Sequence, residues 1–581
     1  MKLSAIALDY DGTIARNDVL SPDVRHAISV LRTKGILVML VTGRILDELR
    51  RVAGSLHFVD AVIAENGAVV HYPDKGITSA LAPPVPDAML AEIRRRGIPF
   101  RNGLSIVDTR ADEAPHLLDI IRALELPWVL AFNAGQVMVL PQGVSKATGL
   151  KLVLDRQRVS ARNTLAIGDA ENDHEMLRLA EVGVAVAWGS AVLRQAADLL
   201  APGDGPDSVA PFLLELSESG VMPPVSRARR HLFLGHTDEG REFSLAVRGR
   251  NVLVAGDPRS GKSWVAGLLC EQLIAQGYCV CVIDPEGDYR SLEGLPGVTV
   301  LGGDDPPPSP RELLRALRYP DRSVVVDLSQ RSHEEKVEYV RALLPALNVL
   351  RRRTGLPHRI IIDEAHYYLH DDNAEALLDL RQNGYTVISY CASRLPASLL
   401  AATEVIIVTC ESNPYEIDAL FERCRGCAPM DRHHWDQLTH LPIGRAVALP
   451  VTEESGGKLR AFTIAPRLTP HVRHRQKYVD MPIGPQRAFV FGRPGSPAPV
   501  QTLRAFVVTV EGMAPALLGP YIVRGDFSRW IEDVFGDRAL AHEIRGLEQG
   551  GRGADHLEIG REIVAAIRAR YDLLDEEGVQ P

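Results

Sequence analysis

A series of short, nearly unbroken apolar runs constrains this chain most: SAIALDY, ILVMLVTG and TLAIGD, then NVLVAG, CVCVIDP, SVVVDLS, RIIIDEA and TVISYCA. Strands that are apolar at every position must be covered on both faces. Helical stretches separate these runs, so parallel sheets flanked by helices are predicted. At 581 residues the chain is too long for one ordinary core, and about three or four domains are expected. The apolar share of 46% and charged share of 24% are globular values that argue against extensive disorder. A net charge of -9 argues against a protein coated with nucleic acid, although a local basic groove remains open. The seven cysteines all fall between Cys270 and Cys427, an odd number that suits a reducing compartment. No run is long and apolar enough for a membrane span. MKLSAIALDYDGT reaches carboxylates too early for a secretory signal, so a cytoplasmic location with no membrane partner is expected.

Between Pro83 and Pro141 the texture changes. MLAEIRRRGI and APHLLDIIRALEL read as helices, GLSIVDTR as a strand, and WVLAFNAGQVMVLP as a hairpin turning at Gly135. This small α/β unit interrupts the first sheet as a lid inserted into an enzyme core would. Gly/Pro/Arg-rich stretches around residues 217–231 and 465–485 read as linkers. The tail holds a predicted short strand, RAFVFG, followed by helices such as FSRWIEDVFG and IGREIVAAIRARYDLL.

Asp9 and Asp11 end the first apolar run, just before a Gly-Thr turn. Carboxylates at i and i+2 where a strand turns can converge on one metal and one phosphate. One carboxylate can attack to give an aspartyl-phosphate, and the other can protonate the leaving oxygen and later activate water. A metal cancels the charge repulsion between anionic nucleophile and anionic substrate. The remaining parts follow in order: Thr42 and Gly43 in VTGR, Lys146 in GVSKATGL, and Asp169, Asn172 and Asp173 in GDAENDH.

Together LDYDGT, VTGR, Lys146 and GDAEND resemble the four motifs of the haloacid dehalogenase (HAD) superfamily in its lidded, Cof-type branch, and the AENGA segment around Glu65 fits the same pattern. The resemblance implies Asp9 as nucleophile, Asp11 as general acid/base, and Thr42 and Lys146 as catalytic phosphate binders. It further implies Gly43, Asn172 and Asp173 around the substrate phosphate. Mg²⁺ would be held by Asp9, Asp169 and the Asp11 main-chain carbonyl. Asp11 decides the class, because a phosphatase needs that acid and a dehalogenase does not.

GDPRSGKS, Gly256 to Ser263, follows NVLVA and precedes the helical WVAGLLCEQLIAQG. It fits G-x-x-x-x-G-K-[ST], in which loop N–H groups cradle phosphates, Lys262 reaches the outer ones and Ser263 takes Mg²⁺. Ser260 and Gly261 belong to the same cradle. RIIIDEAHYYL supplies Asp363 for the Mg²⁺ shell and Glu364 to orient an attacking water. Two apolar runs lie between the P-loop and Asp363, which points to the P-loop branch with an additional strand and a catalytic glutamate.

IDPEGDY, VVDLSQ, IDEAHYYL and LPIGRAVAL together resemble the HerA–FtsK class of DNA-pumping ATPases. That resemblance implies a RecA-like core, ATP with Mg²⁺, DNA as a partner, and a homo-hexameric ring with an arginine supplied by the neighbour. Arg381, Arg394 and Arg423 are candidates for that arginine. The chain departs from the class at Ala392-Ser393-Arg394-Leu395-Pro396, where a polar sensor pair often stands. The barrel that commonly precedes the P-loop is reduced to about RHLFLGHTDEGREFSLAVRG.

The expected architecture is α/β throughout. Residues 1–220 form a HAD Rossmann-like parallel sheet with a cap at about 83–141, and 221–230 a linker. Residues 231–466 form a RecA-like P-loop ATPase domain, 467–484 a second linker, and 485–581 a small, mostly helical module. CRGC, Cys424 to Cys427, has metal spacing but no second pair, so no metal role is assigned to it. His433, His434 and His440 read as surface or packing residues, and Arg351 to Arg353 as a solvated run. The tail helices present apolar stripes that pack a core, with docking of a protein partner as the second reading.

The function expected is a Mg²⁺-dependent phosphatase acting on a small phosphoester, fused to an ATP-binding and ATP-hydrolysing domain of the DNA-pump class. Two alternatives stand beside it. In one, a nucleotide-sensing P-loop domain regulates or scaffolds the phosphatase. In the other, a DNA-translocating ATPase carries an accessory phosphatase.

Overall fold

The computed structural model describes residues 1–133, 135–225, 229–246, 250–370, 374–424, 432–449, 451, 458–470, 483, 487–492, 499–535, 537–550 and 556–571. The first apolar run becomes Ala5–Asp9 (β1), buried along its whole length. It pairs in parallel with Leu37–Val41 (β2) on one side and Thr164–Gly168 (β3) on the other. Alternate β1 residues feed two cores. Ile6 and Leu8 pack with Val38, Leu40 and Ile28, whereas Ala5 and Ala7 lie with Leu150, Val153 and Leu154 of helix Lys146–Gln157 (α1). The small alanines on that face let α1 lie close to the sheet. The eight-stranded sheet continues past β3 to Val182–Val186 and Leu199–Ala201, and past β2 to Ala61–Ala64, Val69–Tyr72 and Ile77–Ala80.

The predicted lid is a four-stranded antiparallel sheet of Arg101–Asn102, Val107–Arg110, Trp128–Asn133 and Gln136–Pro141. Helices Asp87–Arg95 and Ala114–Ala123 cover one face through Met89, Ile93, Leu117 and Ile120. From the other face Met138 and Leu140 reach down into the core of the first sheet. The hairpin turns at Gly135, as expected from its left-handed φ of 82°.

A separate eleven-stranded sheet carries the second set of apolar runs. Val252–Ala255 (β4) leads into the P-loop and helix Lys262–Ala275 (α2). Val280–Asp284 (β5), Arg359–Ile362 (β6) and Tyr385–Ser389 (β7) run parallel to it in the order β4-β7-β6-β5. The strand inserted between the P-loop strand and the Asp363 strand is therefore β7. The two runs that precede Asp363 in the chain, β5 and Ser323–Asp327, lie on the far side of β6. Instead of a reduced barrel, the hairpin His231–Thr237 and Glu242–Ala246 extends this same sheet through Arg460–Ile464 and Arg445–Leu449.

Other expectations change as well. Arg351 is not part of a solvated run: it is 4% exposed, donates to the carbonyls of Pro357 and Asn383, and stacks on Tyr385. Arg423 donates to the carbonyls of Leu400, Ala401 and Thr403 and so closes the helix Ala397–Ala401 within its own chain. RAFVFG contributes only an isolated bridge between Phe489 and Val500 among the described residues. Cys427, and the side chains of His433 and His434, lie outside the described residues. The tail helices, among them Arg538–Gly550 (α3) and His556–Tyr571 (α4), surround an aromatic core of Phe489, Phe506, Phe527 and Trp530. Among the described residues no helix is long and apolar enough to cross a membrane.

The two large sheets meet at their N-terminal ends. Cys279 N–H donates to His358 Nδ1 at 2.7 Å, which places the ring proton on Nε2, and Nε2 donates to Asn163 Oδ1 at 2.9 Å. Asn163 immediately precedes β3, and His358 immediately precedes β6. Beside them Tyr278 donates to Glu181 at 3.0 Å, and Arg162 and Arg230 pair with the same carboxylate. Arg229 and Arg230, read as linker residues, also cap the carbonyls of Leu177, Arg178 and Ala180.

Burial, reinforced by Arg162 and Arg351, lowers the His358 pKa from 6.5 to about 3. Between those values the unfolded chain binds a proton that the folded junction refuses, so stability falls as pH drops through that window. Thermal unfolding from pH 7 to 4 should show this loss, and His358→Gln should flatten it by about 1.4 kcal/mol per pH unit. An unchanged slope in the variant would show that the imidazole is not the group responsible.

Candidate functional site

The C-terminal end of β1 delivers Asp9, 4% exposed, into a cluster assembled from distant parts of the chain. Lys146, at the first turn of α1, donates from Nζ to Asp9 Oδ1 at 2.6 Å, to Asp173 Oδ1 at 2.7 Å and to Asn172 Oδ1 at 3.2 Å. Ser145 caps this helix through the Thr148 N–H, which fixes where the lysine enters. Asp173 in turn accepts the backbone N–H groups of Asp169 and Ala170, both at 3.0 Å, and so shapes the loop after β3. Thr13 donates to Asp169 Oδ1 at 3.0 Å. Gly12 sits at φ 75°, and a Cβ there would come within 2.3 Å of Asp169 Oδ2, so only glycine admits this approach.

Carboxylate oxygens of Asp9, Asp169 and Asp173 lie within 4.8 Å of one another. Burial, then the neighbouring Asp173, pushes Asp169 up to about 6, and burial holds Asp9 well above the carboxylate range despite Lys146. Burial alone would favour loss of the Lys146 proton, but Asp173 and Asp9 outweigh it and the ammonium is retained. Three carboxylates against one ammonium leave an excess of negative charge, which fits a divalent cation held by oxygen ligands.

Thr42 follows β2, is fully buried, and accepts the Arg44 N–H on its hydroxyl at 3.1 Å. The cap closes over Gly43: Met138 Sδ lies 3.4 Å from where a Cβ on that glycine would stand, and Asn172 Nδ2 lies 3.6 Å from it. Asp11 is placed differently from the other predicted residues. Its carboxylate is gripped by Arg44 through Nε at 2.6 Å and Nη2 at 2.5 Å, and the same guanidinium pairs with Asp18.

Arg44 stands inside VTGR, yet no role could be assigned to it from spacing alone. The same holds for Glu65, whose buried carboxylate accepts the cap N–H groups of Leu104 at 3.0 Å and Ser105 at 2.8 Å. Glu65 thereby ties the cap to the sheet.

The second centre lies at the C-terminal edge of the other sheet. Gly256 and Gly261 have φ values of 144° and 106°, and a Cβ on Gly261 would meet nothing within 4 Å, which leaves an open cradle at the start of α2. Lys262, 4% exposed, rests its ammonium on the carbonyls of Gly256 at 2.9 Å and Asp257 at 2.8 Å. Ser260 bonds to Thr409 beyond the adjacent strand. Ser263 donates to Asp288 Oδ2 at 2.7 Å. Asp288 belongs to IDPEGDY, where Asp284 accepts the N–H groups of residues 286–289, so this carboxylate is a site feature whose role spacing alone did not reveal.

Asp363 and Glu364 follow β6 and are fully buried, with Glu364 in the left-handed region at φ 46°. His366 Nδ1 lies 3.6 Å from Glu364 Oε2 and 3.2 Å from Ser389 Oγ, and burial lowers its pKa to about 4, keeping the ring neutral. Arg381 and Arg394 are exposed. The structure thus builds two centres on two sheets, and no predicted residue is shared between them.

The model of the family described as haloacid dehalogenase-like hydrolase matches residues 6–88 and 117–213, and that of the helicase HerA central domain matches residues 249–341. The phosphoglycolate phosphatase of Archaeoglobus fulgidus is 30% identical over 227 residues, which cover 36% of this chain and 96% of the relative. That of Methanopyrus kandleri is 29% identical over 230 residues, covering 37% and 97%. A solved haloacid dehalogenase-like hydrolase from Bacteroides thetaiotaomicron is 17% identical, covering 37% of this chain and 100% of its own, with a TM-score of 0.34. Through this N-terminal match the chain belongs to the haloacid dehalogenase-like hydrolases.

Proposed function

We propose that the first centre hydrolyses a small phosphoric monoester and that the second binds and hydrolyses ATP. The observation that carries the first reading is the buried Lys146 ammonium held between Asp9 and Asp173 beside Asp169. Asp9, Asp169 and the Asp11 carbonyl would hold Mg²⁺, which offsets the repulsion between nucleophile and substrate when bound. Asp9 attacks phosphorus, and the bond to the leaving oxygen breaks as that oxygen takes a proton from Asp11. Asp11 then takes a proton from water as the water attacks the aspartyl-phosphate, releasing phosphate and restoring Asp9. Thr42, Gly43 and Lys146 hold the transferring oxygens, and Asn172 and Asp173 keep Lys146 in place. For this Arg44 must loosen its grip on Asp11, and Asp18 is the carboxylate already in reach to keep the guanidinium.

The close approach of Met138 to Gly43 leaves room for a small leaving group and favours substrates of the size of phosphoglycolate over a polymer end. Asp9→Asn should lower phosphatase turnover by at least about a thousandfold while leaving MgATP binding intact, measured on a panel of small phosphoesters and by titration calorimetry. Loss of both properties together would sink the reading of two separable sites.

At the second centre Gly256, Ser260, Gly261 and Lys262 would cradle the phosphates, and Ser263 and Asp363 would hold the accompanying Mg²⁺. Glu364 orients the attacking water, and the neutral His366 lies beside its carboxylate. The HerA match supports a DNA-pump-class ATPase that assembles as a ring and responds to duplex DNA. Glu364→Gln should retain ATP binding and lower hydrolysis by about a hundredfold or more, and duplex DNA should stimulate the wild type alone. Hydrolysis that survives the substitution would remove Glu364 from the reaction. Wild-type hydrolysis indifferent to DNA would instead favour the nucleotide-sensing reading.

A further inference from the structure

The fourth residue of GDPRSGKS is an arginine held where the backbone suits glycine. Arg259 has φ 66°, in the left-handed region, between Gly256 at 144° and Gly261 at 106°. Asparagine or aspartate can offset that conformation with a local side-chain bond, and arginine has no such means. Its side chain leaves the loop altogether. Nη1 donates to Asp537 Oδ2 at 2.5 Å, and the guanidinium lies 4.7 Å over the Tyr571 ring.

Asp537 is a prepared receptor for that guanidinium. Its side chain is 3% exposed and sits just before α3. Arg570 donates to its two oxygens at 3.0 and 3.1 Å, Tyr571 donates at 3.3 Å, and the Leu540 N–H donates at 3.2 Å. These bonds come from both α3 and α4 and hold the carboxylate fixed whether or not Arg259 is present. The loop on either side of Arg259 is also tethered, through Asp257 N–H to the Cys410 carbonyl at 2.6 Å and through Ser260 to Thr409. The torsion at residue 259 is therefore what sets the course of the chain between two fixed points.

We propose that Asp537 is a positioning residue of the nucleotide site: by holding the Arg259 side chain it keeps the P-loop backbone in the left-handed turn that aims its N–H groups into the cradle. The helical tail thereby completes the P-loop. This rests on the reading of the second centre as an ATP site. A glycine at position 259 adopts the turn without help, so Asp537 matters only while Arg259 is present.

The test uses the full chain as wild type, Asp537→Ala, Arg259→Gly and the double variant, titrated with MgATP, with Lys262→Ala as the non-binding control. Asp537→Ala should weaken MgATP binding about five- to thirtyfold, the range expected for an unsupported left-handed residue. In the Arg259→Gly background the same substitution should change affinity less than about twofold. Unchanged affinity in Asp537→Ala overturns the proposal. So does an equal loss in both backgrounds, because that is what simple damage to the tail produces. If the wild type binds MgATP no better than Lys262→Ala, the ATP reading fails, and amide exchange across residues 256–263 decides the positioning role. Asp537→Ala must then speed exchange in the presence of Arg259 and not in the Arg259→Gly background.

Discussion

The contact between Asn163 and His358 is small, yet it marks the seam by which the two sheets are joined, alongside Tyr278 on Glu181 and Lys2 on the Arg352 carbonyl. Each residue stands immediately before a strand that ends in acid groups, Asp169 after β3 and Asp363 after β6. Open parallel sheets place their chemistry beyond the carboxyl ends of the strands. Joining the two sheets by their amino ends leaves both chemical edges free. The junction is also costly to break, because its Glu181 carboxylate is buried among Tyr278, Arg162 and Arg230, and removing one partner strands the others away from water.

Both centres keep a lysine that is already desolvated. Lys146 rests on Asp9 and Asp173, and Lys262 rests on two loop carbonyls. On the proposed reading, a phosphate arriving at either ammonium would exchange partners with it, and the charge would not need to be stripped of water at that moment. The difference lies in what surrounds the lysine. Around Lys146 the carboxylates outnumber it, which suits a cation-assisted attack by one of them. Lys262 instead lies against the carbonyls of its own loop, whose N–H groups suit holding a polyanion.

Much of this was legible in the sequence, because the signals were local. Apolar runs ending in Asp9, Asp169 and Asp363 announce strands whose ends carry chemistry, and GDPRSGKS announces its own turn. Signals that depend on a distant partner were not readable. Nothing near Arg44 says that its guanidinium grips Asp11, and nothing near Arg351 says that it is buried against Pro357, Asn383 and Tyr385. The hairpin before the P-loop looked like the remnant of a barrel because strand periodicity reveals pairing but not which edge is joined. The order of strands also differs from their order in the chain. That is why β7, and not an earlier run, separates β4 from β6.

The amino-end junction also decides what kind of partnership the two centres can have. Each lies a strand length, about 15 Å, from the seam, on the side facing away from it. The two centres therefore stand at opposite ends of the joined sheets. Fusion on these terms keeps the two centres in equal number and joins them through side-chain contacts, Asn163 with His358 and Glu181 with Tyr278, far from the strand ends that carry the acid groups of either.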